Sequence, residues 1–424
     1  MPAHCGGTRL PRPSSGNDRQ ARFSSTSVSN RRQLRAHALT AHPEAGHADA
    51  IDSLAAALDG SGPALLPLPA HAAEARRITA ALRPADPAHP LECDDIALVV
   101  PTSGSTGEPK GALLTADNLT SSAEATHVRL GGPGTWLLAL PLTHIAGIQV
   151  LVRSIVAGTT PQVQHIGAGF RVEDFILATA AMNATATVER RYTALVPTQL
   201  ARLLGGGATE ALTTYDGVLI GSSATPPALL ARARDRGVKV VTTYGMSETS
   251  GGCVYDGRPL DGVTVDTPED HRIRIRGPMI FAGYRLRPDL TAAALHDGWH
   301  LTNDLGRVIP DGTLEVFGRI DDVIVTGGMH VAPDDVAAAL REHPGVRQAD
   351  VHGRPDATWG ERVVAVIVPT DPGSPPTLRE LRQLVSDRLG GAAAPRAIAI
   401  VPAIPMLAIG KPDRAALRRL PVQP

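Results

Sequence analysis

A short buried strand that runs straight into a glycine- and hydroxyl-rich loop constrains this chain more than any other feature. Ile96-Ala97-Leu98-Val99-Val100 is apolar and rich in β-branched residues, the pattern of a strand covered on both faces. After Pro101 comes Thr102-Ser103-Gly104-Ser105-Thr106-Gly107-Glu108-Pro109-Lys110-Gly111. Its glycines permit positive φ and close backbone approach, so successive N–H groups can surround phosphate oxygens. The hydroxyls add donors and the lysine adds a mobile positive charge. The spacing is not that of a Walker A loop, which needs Gly-x-x-x-x-Gly-Lys-Ser/Thr. We read it as a phosphate loop of another kind.

Composition strengthens that reading through lysine. Of the 41 basic side chains only Lys110, Lys239 and Lys411 are lysine, so arginine fills almost every solvated cationic position. A compact, rotatable ammonium differs from arginine's planar fork, and a lysine kept against that background marks a candidate site. Lys239 has no motif around it and reads as surface. Acids and bases otherwise cancel, 42 against 41, which leaves no global field for nucleic acid or an anionic membrane. No apolar run is long enough for a membrane span. Cys5, Cys93 and Cys253 are far apart and odd in number. That excludes a disulfide framework and a Cys-x-x-Cys metal site, and it fits a reducing cytoplasm.

The length, 424 residues, accommodates two or three domains. Residues 1–48 are rich in arginine, serine and glycine and show no apolar periodicity. They read as a disordered extension or a start placed too early, with an organelle transit peptide as the other option. From residue 50 the pattern is globular, with helices over 51–58 and 73–82. Strand-like runs at 96–100, 136–140, 193–196, 217–220 and 238–242 alternate with helical stretches, as in a layered α/β fold. After residue 266 the texture changes to β-ribbons, at 271–276 and 313–317. Beyond Arg319 the order strand, helix (333–343), strand (346–351), strand (362–368), helix (377–389), strand (397–401) describes a small α+β unit. The predicted organisation is a tail over 1–48, a large α/β domain with a ribbon region over 49–319, and a small α+β domain over 320–424.

The phosphate loop also resembles the signature of the acyl-adenylate-forming (AMP-binding) superfamily, and further motifs follow in that family's order. Tyr244-Gly245-Met246-Ser247-Glu248-Thr249 resembles its adenine and magnesium motif, and Thr302-Asn303-Asp304 its ribose-binding aspartate. Gly318-Arg319-Ile320-Asp321-Asp322 with Gly327-Gly328 is similar to its hinge and glycine turn, and Gly410-Lys411-Pro412-Asp413-Arg414 to its catalytic-lysine segment. The resemblance implies ATP and Mg²⁺, with CoA as co-substrate. Thr102, Ser103, Gly104, Ser105, Thr106, Gly107 and Lys110 would bind ATP, with Ser223, Tyr244, Gly245, Asp304 and Arg319. Glu248 and Thr106 would hold the metal, Lys411 would serve adenylation, and Asp321 would be the hinge of a mobile small domain. Gly327 and Gly328 would line the pantetheine passage. Taken alone, Glu248 is an exposed loop carboxylate, Tyr244 a core tyrosine and Asn303-Asp304 a turn.

Leu140-Pro141-Leu142-Thr143-His144-Ile145-Ala146-Gly147 and Arg153 bear on the acid substrate. An arginine inside an apolar helix over 148–156 either snorkels to water at the helix edge or meets a carboxylate, which its fork binds well. The string from Pro141 to Gly158 resembles the o-succinylbenzoate–CoA ligases of menaquinone biosynthesis, where a basic residue at this place meets a second substrate carboxylate. The resemblance thus implies substrate contacts from His144, Arg153, Ser222 and Gly245, with His144 also catalytic. About 50 residues separate the tail from the phosphate loop, so part of the usual N-terminal subdomain would be reduced. Asp334-Asp335 stands where Pro-x-Glu is common. Other readings are another aryl- or acyl-CoA ligase, an enzyme loading a carrier protein, and a non-catalytic nucleotide-binding module. The partners implied are small molecules, and a homodimer is left open.

Overall fold

The computed structural model describes residues 32–38, 47–103, 108–165, 169–186, 188–320, 322–406 and 412–423. Four β-sheets organise them. In the first sheet, Leu34–His37, Ala64–Pro67 and Ile96–Ser103 are parallel neighbours, and Pro109–Thr115 returns antiparallel to Ile96–Ser103. The strand does not stop at Pro101, because a proline near a strand end leaves only its own N–H position unpaired. Pairing continues to Thr102–Lys110 and Ser103–Pro109. The described ends of the phosphate-loop motif, Thr102-Ser103 and Pro109-Lys110, are therefore paired as two arms of a β-hairpin.

Leu34–His37 lies inside the segment read as a tail, and that boundary is corrected for residues 32–38. The strand is four residues long and buries only Leu34, too little for periodicity to reveal. Arg32 fixes it from outside, donating to the carbonyls of Gly62 and Ile96, each at 2.9 Å. Residues 1–31 and 39–46 lie outside the described residues.

The second sheet has seven strands. Gln162–Val163, Thr135–Leu138, Arg191–Leu195, Gly217–Ile220 and Val240–Met246 run parallel. Gly251–Tyr255 and Arg258–Pro259 close one edge antiparallel. The helices Ala116–Leu130 and Ile145–Ala157 pack against this sheet, with Trp136, Leu151 and Val254 in the shared core. A second core cluster around Phe175, Leu200 and Tyr215 covers helices Val172–Thr185 and Pro197–Gly205. The third sheet is the expected ribbon, built on Arg272–Arg276, Trp299–Val308 and Leu314–Arg319.

Beyond Arg319 a separate core holds Ile324, Val336, Val363 and Leu381. Val346–Asp356 and Gly360–Pro369 form one long hairpin, with Ala397–Ile400 parallel to the second arm. The expected strands at 346–351 and 362–368 fall in these two arms but are shorter, because Gly353 and Arg354 break the first apolar run and Gly360-Glu361 precede the second. The short strand Met329–Val331 and the terminal helix Arg414–Arg419 were not expected from the sequence. No described helix is long and apolar enough to cross a membrane.

Candidate active site

Parallel strands bring their C-terminal ends to one edge, where open α/β sheets receive ligands. In the second sheet that edge carries His144 after Thr135–Leu138, Ser222 and Ser223 after Gly217–Ile220, and Glu248 after Val240–Met246. His144 caps the helix Ile145–Ala157, its carbonyl accepting from Gly147 and Ile148, each at 3.1 Å. Ser222 and Ser223 are exposed, and Ser222 holds a positive φ of 71°. Glu248 lies in the 3-10 turn Ser247–Thr249 that reverses the chain into Gly251–Tyr255.

The strand reaches Met246, beyond the predicted end at 242, so Tyr244 and Gly245 are strand residues. Gly245 faces Gly252 across the pair. A Cβ on Gly245 would lie 2.1 Å from the Gly251 carbonyl oxygen, so the position is glycine because two backbones meet there. That packing constraint stands whether or not a ligand touches the residue.

One segment joins the first two sheets. Phe281 N–H donates to the Glu248 carbonyl at 2.9 Å, and Gly283–Tyr284 pairs with Leu113 and Ala112 of the hairpin arm that carries Lys110. The Tyr284 hydroxyl donates to Glu248 Oε1 at 2.7 Å, while Lys110 Nζ sits 5.5 Å from the same ring's centroid. Phosphate hairpin and glutamate are thereby brought to one place. Burial, and then the neighbouring Glu248 charge, push the Tyr284 phenol far above its ordinary range. It stays a donor at physiological pH.

The ribose motif arrives from the third sheet. The Tyr244 hydroxyl donates to Asp304 Oδ2 at 2.8 Å, and Arg319 stands opposite Asp304 in the ribbon. Burial raises the Asp304 carboxyl, while the Tyr244 hydrogen bond and the Arg319 charge oppose that rise. Burial, with Asp304 second, holds the Tyr244 phenol well above its usual value. Tyr244 is thus an oriented donor to Asp304.

Sequence reasoning missed three members of this cluster. Tyr284 and Phe281 lie between motifs, and His300 reads as one polar residue in a ribbon. His300 is only 3% exposed. It packs edge-on to Phe281 at 5.2 Å, with Nδ1 at 3.2 Å from the Ala294 carbonyl and Nε2 at 3.4 Å from the Met246 sulfur. Burial lowers its pKa, so it is neutral here. The available signal was alternation, since His300 and Thr302 fall on the buried face of their strand.

Among the described residues no three His, Cys, Asp or Glu side chains gather as a metal cage. Magnesium does not need one, because it is commonly held by one or two carboxylates together with substrate phosphates. Glu248, beside the phosphate hairpin, supplies such an oxygen. The donor set fits.

Arg153 is 3% exposed, so it does not snorkel. Its guanidinium lies over the Trp136 ring at 4.9 Å and Nη2 donates to the Tyr255 hydroxyl at 3.2 Å. Nε has no hydrogen-bond partner, and no described carboxylate pairs with it. Nine residues of helix separate Arg153 from His144, about 13 Å of axis.

Gly327 and Gly328 turn the chain with φ of 57° and 77°, and a Cβ on Gly327 would strike the Trp359 ring at 2.9 Å. Thr102 is in the hairpin arm, opposite Lys110. Gly104, Ser105, Thr106, Gly107, Asp321 and Lys411 lie outside the described residues, and Ser103 is described by its backbone.

Two family models cover most of the chain: AMP-binding enzyme matches residues 25–285, and AMP-binding enzyme C-terminal domain matches 335–411. A probable 2-succinylbenzoate–CoA ligase of Mycobacterium tuberculosis is 48% identical over 385 residues, spanning 89% of this chain and 97% of that protein. The o-succinylbenzoate CoA synthetase of Bacillus subtilis, solved with its acyl-adenylate intermediate, superposes with a TM-score of 0.70 at 28% identity, over 88% of this chain and 81% of that one. The same enzyme solved with ATP and magnesium gives a TM-score of 0.67 at 30% identity, over 76% and 70%.

Proposed function

The chain belongs to the AMP-binding enzyme family, and from that premise we propose that it is an ATP-dependent acid–thiol ligase acting on 2-succinylbenzoate. The products are 2-succinylbenzoyl-CoA, AMP and pyrophosphate, a step of menaquinone biosynthesis. The succinyl carboxylate attacks the α-phosphate of ATP, and CoA thiolate then displaces AMP from the acyl-adenylate.

The phosphate hairpin with Lys110 receives the triphosphate, Asp304 accepts the ribose hydroxyls, and Tyr244, Ser223 and Gly245 border the adenine. Glu248 and the Thr106 hydroxyl are the oxygen donors for Mg²⁺, which when bound neutralises phosphate charge. Lys411 supplies positive charge as it develops on the departing pyrophosphate. His144 and Ser222 border the acid. Asp321 is the hinge between the large domain, which ends at residue 319, and the small domain over 320–424, and Gly327-Gly328 lets the thin pantetheine chain pass close to the backbone.

The observation that carries the substrate assignment is Arg153. A buried guanidinium costs several kcal/mol of desolvation, by order of magnitude, unless charge and hydrogen bonds compensate it. Here a phenol and an indole face compensate it in part. A benzoate carboxylate supplies the missing anion, and ordinary fatty acids and coumarates lack one. The protein works in the cytoplasm on small molecules, and a homodimer is one assembly open to it.

The test is product identification. Full-length protein with ATP, Mg²⁺, CoA and 2-succinylbenzoate is expected to yield AMP and the CoA thioester by mass spectrometry. Without CoA it should release about one equivalent of pyrophosphate and stop, because the acyl-adenylate stays bound, though not covalently attached, until a thiol consumes it. An accumulating intermediate gives a burst of this kind. ATP binding with no pyrophosphate release would overturn the assignment in favour of a non-catalytic nucleotide-binding module.

A further inference from the structure

Charged groups unused by this mechanism gather in the small domain around Arg414. This arginine lies three residues past Lys411 and opens the helix Arg414–Arg419. Its Nη1 donates to Asp350 Oδ1 and to the Val351 carbonyl, both at 3.1 Å, and its Nη2 stands 3.8 Å from Asp322 Oδ2. Asp350 is 9% exposed in a strand between Ala349 and Val351, both themselves buried. A carboxylate persists in such a place only when it is paired. Arginine's planar fork suits one cation held between two carboxylates.

The residues flanking the Lys411 loop are fixed to the same point. Met406 and Pro412 form an antiparallel bridge, and Asp413 N–H donates to the Pro405 carbonyl at 2.9 Å. The Asp413 carboxylate caps the helix through Ala416 N–H, also at 2.9 Å. On the other side, Asp322 N–H donates to the Arg319 carbonyl at 3.0 Å, and Arg319 is the register partner of Asp304. A line of contacts thus runs from the ribose aspartate through the turn beside Asp321 to the base of the Lys411 loop.

We propose that Arg414 is a positioning residue: by tying the helix that follows Lys411 to the turn at Asp322 through Asp322 and Asp350, it fixes where Pro412 and Asp413 enter that helix. This rests on the role of Lys411 in adenylation. The consequence is asymmetric: the adenylation half-reaction needs Lys411 in place, whereas thioester formation from a preformed adenylate does not.

The two half-reactions are measured separately on the full chain. Adenylation is followed by radiolabelled pyrophosphate exchange with 2-succinylbenzoate, and thioester formation by CoA consumption with supplied 2-succinylbenzoyl-adenylate. Arg414→Gln is expected to slow exchange by about 10²-fold, the scale for a misplacement of about 1 Å, and to leave the second step within about twofold. Arg414→Lys, which keeps charge but not the fork, should fall between. Arg354 holds the other end of the same helix, through the carbonyls of Leu417 and Leu420. Arg354→Gln should leave the ratio of the two rates unchanged. Equal slowing of both steps by Arg414→Gln, or the same skew from Arg354→Gln, would overturn the proposal and leave only helix docking. Lys411→Ala separates the two levels: if that variant keeps exchange, the adenylation role and the proposal fall together. Loss of exchange in Lys411→Ala with none in Arg414→Gln sinks the Arg414 proposal alone.

Discussion

The Tyr284 hydroxyl donates to Glu248 Oε1 at 2.7 Å, and this bond joins the edge of the first sheet to a loop at the ligand edge of the second. The same ring lies 5.5 Å from Lys110 Nζ, within the range where a cation is attracted to a π face. One tyrosine therefore sets both the carboxylate assigned to magnesium and the lysine assigned to phosphate.

Tyr284→Phe keeps the ring and removes the hydroxyl. A hydrogen bond to a charged group contributes about 1.5–3 kcal/mol. The variant is expected to need about tenfold more Mg²⁺ for half-maximal pyrophosphate release, with the fold intact. Manganese binding to the ATP complex, read by electron paramagnetic resonance, should weaken in parallel. An unchanged metal requirement would show that Glu248 is oriented by its backbone alone.

Gly245→Ala places a methyl group 2.1 Å from the Gly251 carbonyl oxygen. Backbone cannot yield as a side-chain end does, and overpacking commonly costs about 1–3 kcal/mol. The thermal midpoint is expected to fall by several degrees, and ATP binding by calorimetry to weaken because Tyr244 shifts with it. Wild-type stability in this variant would contradict the close strand pairing.

These two residues also show what the sequence made legible. Gly245 sits in a contiguous motif whose order along the chain could be matched, and its fold-level neighbourhood followed from strand pattern. Tyr284 could not be found that way, because its partner is 36 residues distant in sequence and the contact exists only once two sheets meet. Parallel strands at 193–196 and 217–220 were legible because they are continuous apolar runs. Leu34–His37 was not, since an edge strand with one buried side chain has no period to read. Arg153 was legible as an anomaly, yet its burial against Trp136 and Tyr255 depends on long-range packing.

Asp350 and His352 make opposite contributions to pH dependence. Burial raises Asp350 to about 6, opposed first by Arg414, with Asp334 and Asp322 adding to the rise and Arg341 opposing it. Burial, and then Arg354, lowers His352 to about 4. A raised carboxyl pKa means that the folded state binds the proton more tightly, so its contribution is present below about pH 4 and is lost as pH rises through about 6. A lowered histidine contributes above its ordinary value of 6.5 and loses that as pH falls toward 4. The two slopes largely offset one another between pH 4 and 6. Asp350→Asn removes one of them. Its stability relative to the parent, from denaturant unfolding, is expected to climb by about 3 kcal/mol from pH 4 to pH 7. A difference that stays flat with pH would contradict the buried state of this carboxyl.

In the proposed function the ligase selects an acid with a second carboxylate, which Arg153 anchors. The most direct measurement is kcat/KM for pyrophosphate release with 2-succinylbenzoate, benzoate, 4-coumarate and octanoate, in the parent and in Arg153→Met, which fills much of the same volume without charge. Loss of a buried charge-assisted contact costs about 2–5 kcal/mol. Strong preference for 2-succinylbenzoate is expected in the parent, with a fall of at least about 30-fold for that acid alone in the variant. Equal turnover of octanoate, indifferent to Arg153, would contradict it.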